Sequence, residues 1–345
     1  MSCRRCNLAF VALILVPSLL ASGCAPSLSA CAPGDIHAGL ITDIAGIDGA
    51  ENALTWQGIE RADRQLGVCA QFIESPTPED YQKNITALAE EHFDLIVAGP
   101  ALAPAVQELA GRYPGTDFLL VDSGLDPPVA NVHSLAFRVD QVAFPAGYLA
   151  AAWADFEDPA GPWVGYVASR ANPSAEQYVA AFKAGVAHYN TQKNGDVGFR
   201  GVYLDAEETV DASLQANALI DLGIDVILEV SNGALTGAIA MAKGRGKWGI
   251  GADMDRYQDA ADARDILLTS AVKRLDNAAY AFLELWAEGG GGDSAVLVGT
   301  VENGGVGLAP YHDTEKRIPG AIRAEVAEIV KAILDGQLET GWQGP

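Results

Sequence analysis

The sequence is poor in positive charge and lacks the common catalytic motifs. Its 345 residues include 45 Asp and Glu but only 22 Lys and Arg, a formal net charge of -23. Such a chain is repelled by nucleic acid and by anionic lipid, so we expect neither as a partner. It has no GxSxG or GxxxxGK[ST] string, no GxGxxG after a strand, and no HxH or HExxH spacing among its histidines. We therefore expect no metal, no cofactor and no enzymatic activity.

Long hydrophobic runs are also missing, and the apolar run near the start is too short to span a bilayer. It covers residues 8–20, whereas a transmembrane helix needs about 20 apolar residues. Arg4 and Arg5 precede it and small residues follow, which is typical of a secretory signal peptide.

The small residues lead directly into Cys24, as in a bacterial lipobox, the site at which a cysteine receives diacylglycerol. We predict a lipoprotein signal peptide over residues 1–23, a lipid on Cys24 and a linker over 24–35. Cys31 ends a second lipobox-like string but lies too far beyond the apolar run. The lipid would hold the exported protein at a membrane, at the cell surface or in the periplasm, without the chain crossing it. An ordinary cleaved signal peptide is the alternative.

From residue 36 onward, short apolar runs alternate with longer amphipathic stretches. Runs such as DLIVAG and DFLLVD are continuous rather than alternating, which indicates strands buried on both faces. Alternating strands and helices predict parallel sheets covered by helices. The strand candidates are residues 37–42, 69–74, 95–98, 118–121, 164–168, 198–203, 226–230, 248–251, 266–270 and 295–298. The helix candidates include 53–66, 78–90, 104–112, 175–189, 212–222, 235–243 and 321–334.

Few cysteines remain once the signal peptide is removed. Cys31 precedes the first strand and Cys69 begins the second. The starts of consecutive strands in a parallel sheet lie at one edge, so the two thiols can come within disulfide distance. We predict this disulfide, with two free thiols as the alternative.

Charged residues stand at the carboxyl ends of four predicted strands. They are Asp43, Asp122, Asp253 and Lys273. Open α/β sheets place their ligands at these ends, so the pattern favours a site that grips a polar molecule. Each residue alone is more typical of a helix cap or a solvated turn, and only the four together favour a site.

The chain resembles the basic membrane protein family, the purine-nucleoside-binding lipoproteins of bacterial ABC importers, over about residues 36–335. The resemblance rests on AGLITDIAGIDGAENALTWQGIERA, DFLLVDSG, FRVDQVAFPAGYLAAAWA, YVAAFKAG, GIDVILEVSNG, WGIGADMDRY, LLTSAVKRLDNAAYAF and ENGGVGLAP, in this order. It implies a type I periplasmic-binding-protein fold, two Rossmann-like lobes joined by three crossings near residues 136–141, 267–270 and 299–304. The first lobe would contain 36–137 and 269–298, and the second 138–268 and 299–340.

The resemblance also implies roles for single residues. Asp43 and Asp122 would read the edge of the base, with Asn52 beside them. Asp253 and Lys273 would hold the ribose, and Tyr178 would stack on the base. Gly233 would lie in a turn near the sugar.

Two positions depart from the family pattern. Glu51 stands where the family has a stacking phenylalanine, so half of the aromatic sandwich is missing unless a ring such as Tyr257 replaces it. Asn232-Gly233-Ala234-Leu235 replaces a glycine-rich turn. A ligand with an amine, another heterocycle or a sugar is therefore the runner-up.

The resemblance implies that the lobes close on the ligand by a hinge motion, and that a permease with an ATPase subunit takes it over. Two alternatives remain open. One is a ligand sensor without transport, and the other is a nucleoside hydrolase, for which no nucleophile or metal motif is present.

Overall fold

The computed structural model describes residues 35–169, 171–205, 209–231, 237–289 and 295–342. The predictions for Cys24, Cys31 and Gly233 fall outside these ranges. Cys69 is disulfide-bonded, and its pairing with Cys31 stays a prediction. Within the described ranges, none of the helices combines the length and the apolar character needed to cross a membrane.

Twelve strands lie in the described residues. In chain order they are β1 (Ile36–Ile41), β2 (Val68–Ile73), β3 (Leu95–Ala98), β4 (Asp117–Val121), β5 (Val132–Phe137), β6 (Trp163–Ala168), β7 (Gly198–Tyr203), β8 (Val226–Val230), β9 (Trp248–Asp253), β10 (Leu267–Lys273), β11 (Val296–Gly299) and β12 (Val306–Leu308).

Nine α-helices lie in the same part of the chain, together with short 3₁₀ turns. They are α1 (Ala50–Leu66), α2 (Asp80–Glu90), α3 (Ala103–Leu109), α4 (Asp140–Glu157), α5 (Pro173–Lys193), α6 (Thr209–Asp221), α7 (Gly237–Gly244), α8 (Leu275–Ala287) and α9 (Gly320–Leu334).

The strands form two six-stranded sheets, which confirms the predicted class of two α/β lobes. The first sheet has the order β11-β5-β4-β3-β1-β2 and the second has β12-β10-β9-β8-β6-β7. Neighbouring strands are parallel throughout the first sheet. In the second sheet only the pairing of β10 with β12 is antiparallel. We call the half around the first sheet the first lobe and the other half the second lobe.

Continuous apolar strands occupy the centre of each sheet. All four residues of β3 and all five of β8 are buried, as expected for strands that helices cover on both faces. The edge strand β11 is different, since Val296 and Val298 are exposed.

Two glycines allow α4 and α5 to pack closely. A Cβ on Gly147 would lie 2.0 Å from the carbonyl oxygen of Phe182, and a Cβ on Gly185 would lie 2.0 Å from that of Phe144. Each glycine therefore lies directly against the other helix's backbone. This contact fixes the position of α5, whose N-terminal turns carry Ser174 and Tyr178.

The chain passes between the lobes at 138–139, at Arg274 and at 300–305, as the order of strands in the two sheets requires. The predicted second crossing at 267–270 was wrong. Leu267–Lys273 forms β10, which pairs with β9 in the second sheet. Residues 269–273 thus belong to the second lobe, because the apolar strand continues past Ser270 to Lys273.

Candidate functional site

Lys273 lies at the centre of a charged cluster between the lobes. Its Nζ donates to Asp122 Oδ2 at 2.7 Å and to Ser174 Oγ at 3.1 Å. Asp253 Oδ1 lies 2.8 Å from the same Nζ as an ion pair without hydrogen-bond geometry. Asp122 follows β4 of the first sheet, whereas Lys273 and Asp253 end strands of the second. The bond between Lys273 and Asp122 therefore joins the two lobes.

The charge on Lys273 is held by its neighbours. The side chain is only 4% exposed, and burial by itself would lower its pKa. The carboxylates of Asp122 and Asp253 outweigh that effect and raise the pKa of Lys273 well above its usual value. Lys273 is thus a fixed cation at neutral pH, and it lines a small cavity between the lobes.

Both carboxylates that face Lys273 lie on unusual backbone. Asp122 has φ 55° and Asp253 has φ 66°, in the left-handed region that Asp and Asn tolerate better than other residues with a Cβ. Non-glycine residues in this region cluster at functional sites. The turn at each strand end directs the carboxylate into the space between the lobes.

Tyr178 contacts the strands that carry Lys273 and Asp253. Its hydroxyl donates to the carbonyl of Ala271 and accepts from the backbone N–H of Asp253, both at 3.2 Å. Its ring is fully buried, and Lys273 Nζ lies 5.6 Å from the ring centroid, within cation–π range. These contacts position Lys273 and Asp253, and the stacking role of Tyr178 stays a prediction.

A second group lies at the start of α1. Asn52 Nδ2 donates to Asp43 Oδ1 and to the carbonyl of Gly46, both at 2.9 Å. The backbone N–H of Ala45 donates to the same Asp43 oxygen at 3.0 Å. Asp43 is thereby held rigid, and its Oδ2 stays free of hydrogen bonds with the described residues.

Glu51, on the first turn of α1, faces the charged cluster. Burial raises its pKa to about 7, and the negative charge of Asp253 acts in the same direction, against the pull of Lys273. The carboxyl group makes no hydrogen bond or ion pair with the described residues. It can accept a proton or a hydrogen bond from a bound molecule.

The structure brings most of the predicted site residues together. One small cavity is lined by Asp43, Glu51, Asn52, Asp122 and Lys273, and Asp253 and Tyr178 join it through their contacts with Lys273. The sequence did not predict Ser174. The sequence feature that could have indicated Ser174 is the Asn172-Pro173 pair before it. The Asn172 side chain caps α5, and this places Ser174 at the start of the helix.

Tyr257 does not supply the missing ring. It stacks on His312 with centroids 4.0 Å apart, and its hydroxyl donates to Asp313. His312 Nε2 lies 2.8 Å from Asp255. Tyr257 and Asp255 are thus occupied in a separate cluster. No group of three potential metal ligands occurs among the residues that the structure describes.

Taken together, these groups bring carboxylates from both lobes and one cation to the walls of a small cavity. Carboxylates from both lobes accept hydrogen bonds from N–H and O–H groups, and one fixed cation donates. No activated nucleophile is present among the described side chains of the cluster.

Comparison with known proteins gives a match over most of the chain. The family model described as "ABC transporter substrate-binding protein PnrA-like" (Bmp) matches residues 40–337. An uncharacterized lipoprotein of Pyrococcus horikoshii is 24% identical over 315 residues, which cover 86% of this chain and 76% of the relative.

Solved structures show the same fold. A solute-binding protein of an ABC transporter system from Aeropyrum pernix superposes with a TM-score of 0.72 at 22% identity, covering 88% of this chain and 92% of that one. A protein described as a transcriptional activator of the comK gene, from Bacillus halodurans, gives 0.69 at 18% identity and covers 88% and 99%. A sugar-binding protein of a sugar ABC transporter, from Bacillus halodurans, is also among the similar structures, with a TM-score of 0.62 at 13% identity. This is the periplasmic-binding-protein fold that the family resemblance implies.

Proposed function

Because the chain belongs to the PnrA-like (Bmp) family of ABC transporter substrate-binding proteins, we propose that it captures a purine nucleoside in the cleft between its lobes. It is a solute-binding protein for a small molecule, and proteins of this class work with a permease and an ATPase. The nucleoside and the roles of single residues are our proposal.

The observation that carries this proposal is the Lys273 cluster. It joins groups from both lobes around one point at the carboxyl ends of the strands, where open α/β sheets bind their ligands. In the proposed complex, Asp43 Oδ2 and Asp122 accept hydrogen bonds from N–H groups of the base. Lys273 and Asp253 hold the ribose hydroxyls. Glu51 replaces a stacking ring and accepts from the ligand.

Closure of the lobes is the proposed mechanism of capture. A ligand that contacts both lobes stabilises the closed state only through its additional contacts there. The bond between Lys273 and Asp122 already joins the lobes, so a nucleoside replaces one interlobe contact with several. A permease would then recognise the closed form, and no chemical step is needed.

A thermal-shift screen tests the ligand class. The purified protein is unfolded and refolded to remove bound molecules, then mixed with nucleosides, free bases, ribose and other sugars, and amino acids. A ligand at 100 times its dissociation constant adds about 2.7 kcal/mol to the free energy of unfolding. We expect a shift with inosine, guanosine or adenosine and none with ribose. A shift with sugars alone would reject the nucleoside and leave the solute-binding class intact.

The membrane anchor is a further part of the proposal, supported by the lipoprotein names of the relatives. We propose that Cys24 carries the lipid, outside the cytoplasm. Expression of a Cys24→Ser variant in a bacterial host with radiolabelled palmitate should give an unlabelled protein. A Cys31→Ser variant should stay labelled, and the opposite result would assign the lipid to Cys31.

A further inference from the structure

A second cavity adjoins the charged cluster, with a volume of about 430 Å³. It lies between the lobes, since its walls come from the loop after β4, from β5 and β11, and from the start of α5. Asp122 lines this cavity and also the small cavity beside Asp43 and Glu51. We call the larger one the side chamber. Its volume lies within the range of about 300–1,000 Å³ typical of small-molecule sites.

The walls of the side chamber are mostly apolar. They include Leu125, Val132, Leu135, Phe137, Val296 and Trp342. Two of its polar side chains are already engaged, since Ser174 accepts from Lys273 and Gln177 donates to Asp140. The chamber thus offers an apolar interior, with the Asp122 carboxylate as the charged group in its wall.

Trp342 reaches the chamber from the C-terminal segment. It lies beyond residues 40–337, which the family model matches. The adjacent segment is fixed because Thr340, only 5% exposed, donates to the carboxylate of Asp140 at the start of α4. Trp342 thus adds an aromatic wall to the side chamber from outside the matched region.

We propose that the side chamber is an extension of the ligand site, and that the ligand is a purine nucleoside with an apolar or aromatic substituent on the base. The inference rests on the proposed function, in which Asp122 reads the edge of the base. That role places the base edge at the chamber's wall, so a substituent on an exocyclic nitrogen enters the chamber. An apolar cavity of about 150 Å³ is enough to bind benzene, so one phenyl ring fits.

Calorimetric titration with adenosine, N6-benzyladenosine and 5′-O-benzyladenosine tests the inference. We expect N6-benzyladenosine to bind at least about tenfold more tightly than adenosine, because its ring leaves water for an apolar cavity. The 5′-O-benzyl compound, which carries the same ring on the ribose, should show no gain.

Two substitutions on β11 provide the matched comparison. Val296 is exposed at the rim of the chamber, so Val296→Trp fills the chamber from an edge strand. Val298 is two residues along on the same face and outside the chamber wall. Val296→Trp should abolish the gain from the benzyl group, so that adenosine and N6-benzyladenosine bind the variant with equal affinity, whereas Val298→Trp should keep the gain. Trp342→Ala removes an aromatic wall of the chamber and, unlike Val296→Trp, adds no large side chain. It should reduce the gain in affinity from the benzyl group.

The outcomes separate the two proposals. Adenosine binding without a gain from the N6-benzyl group overturns the side chamber and leaves the nucleoside proposal standing. A gain that survives Val296→Trp, or an equal gain from the 5′-O-benzyl compound, also overturns it. Absence of binding by all three compounds overturns the inference, and the thermal-shift screen with inosine and guanosine then decides the nucleoside proposal separately.

Discussion

At the scale of the single residue, the site depends on one buried cation with two carboxylates. Lys273 is 4% exposed and contacts Asp122 and Asp253. Removing one partner of a buried ion pair leaves uncompensated charge, which costs far more than loss of an exposed pair. The free energy of unfolding therefore depends on Lys273 even without ligand.

Lys273→Met tests this dependence, because it keeps the length of the side chain and removes its charge. We expect a loss of about 3–5 kcal/mol in the free energy of unfolding, measured by urea denaturation. The control is Lys243→Met, which removes a partly exposed pair with Asp265 and should cost less than about 1 kcal/mol. Equal losses in the two variants would contradict the central role of Lys273.

Glu51 gives the site a dependence on pH. Its pKa is about 7 in the folded protein, above the usual 4.5. The folded state therefore binds more protons than the unfolded state between these values, and stability falls as the pH rises through this window. Glu229, which accepts from the N–H groups of Ala238 and Ile239, also has a pKa of about 7 and acts with the same sign.

Glu51→Gln separates the contribution of Glu51 to the pH dependence of stability from that of Glu229. At pH 8 the variant should be more stable than the parent, by at most about 3 kcal/mol. At pH 4 the two should differ by only about 0.2 kcal/mol, since Glu51 is then protonated in the folded state and mostly protonated in the unfolded state. Glu60→Gln, at a half-exposed position on the same helix, should show no such difference in melting temperature. A pH-independent effect of Glu51→Gln would reject the raised pKa.

At the scale of the element, the close packing of α4 and α5 supports the site from a distance. Gly147 and Gly185 each allow the backbone of the other helix to approach. A methyl group at either position pushes the helices apart and moves Ser174 and Tyr178 with α5. Packing between helices is thus coupled to the geometry around Lys273.

Gly185→Ala should therefore lower both stability and ligand affinity. We expect a loss of at least about 2–3 kcal/mol in the free energy of unfolding, because the added methyl meets backbone rather than a side chain that can rotate. Gly111→Ala is the control, since no atom lies within 4 Å of its added Cβ. A stable Gly185→Ala protein with normal Tm would show that the two helices can separate at little cost.

Strands with continuous apolar runs were predicted with nearly the bounds that the structure gives them. Residues 95–98 and 226–230 were predicted as strands and are β3 and β8. β5 was missed because it follows a proline-containing loop and mixes His133 and Ser134 with apolar residues. β12 was missed because three residues carry no periodic signal.

The same limit applies to the site. Asp43, Asp122, Asp253 and Lys273 stand directly at or after strand ends, so their convergence follows from strand order. Ser174 belongs to a helix start, and its approach to Lys273 depends on how α5 packs on α4. The position of Trp342 depends on the path of the C-terminal segment. Neither position follows from local sequence.

At the scale of the whole molecule, the bond between Lys273 and Asp122 holds the lobes together without ligand. It connects the end of a first-sheet strand with the end of a second-sheet strand. Breaking it removes a contact that favours the closed arrangement, so the population of open molecules should rise.

Asp122→Asn is the suitable change, because it removes the negative charge and so weakens the bond to Lys273. Asn also tolerates the left-handed backbone at this position better than alanine does. Small-angle X-ray scattering should give a larger radius of gyration for the ligand-free variant than for the parent. Saturating ligand should bring the two values together. Asp196→Asn, at an exposed position, serves as the control and should scatter like the parent. An unchanged radius for Asp122→Asn would mean that other contacts keep the lobes closed.

The third crossing, at 300–305, determines what happens to the protein after proteolytic cleavage there. It joins β11, an edge of the first sheet, to β12, an edge of the second, and these strands have only four and three residues. A single proteolytic cut there weakens the attachment of both short strands and uncovers β5 and β10 together. Open strand edges pair with other chains, so we expect a nicked molecule to aggregate rather than to separate into two soluble halves.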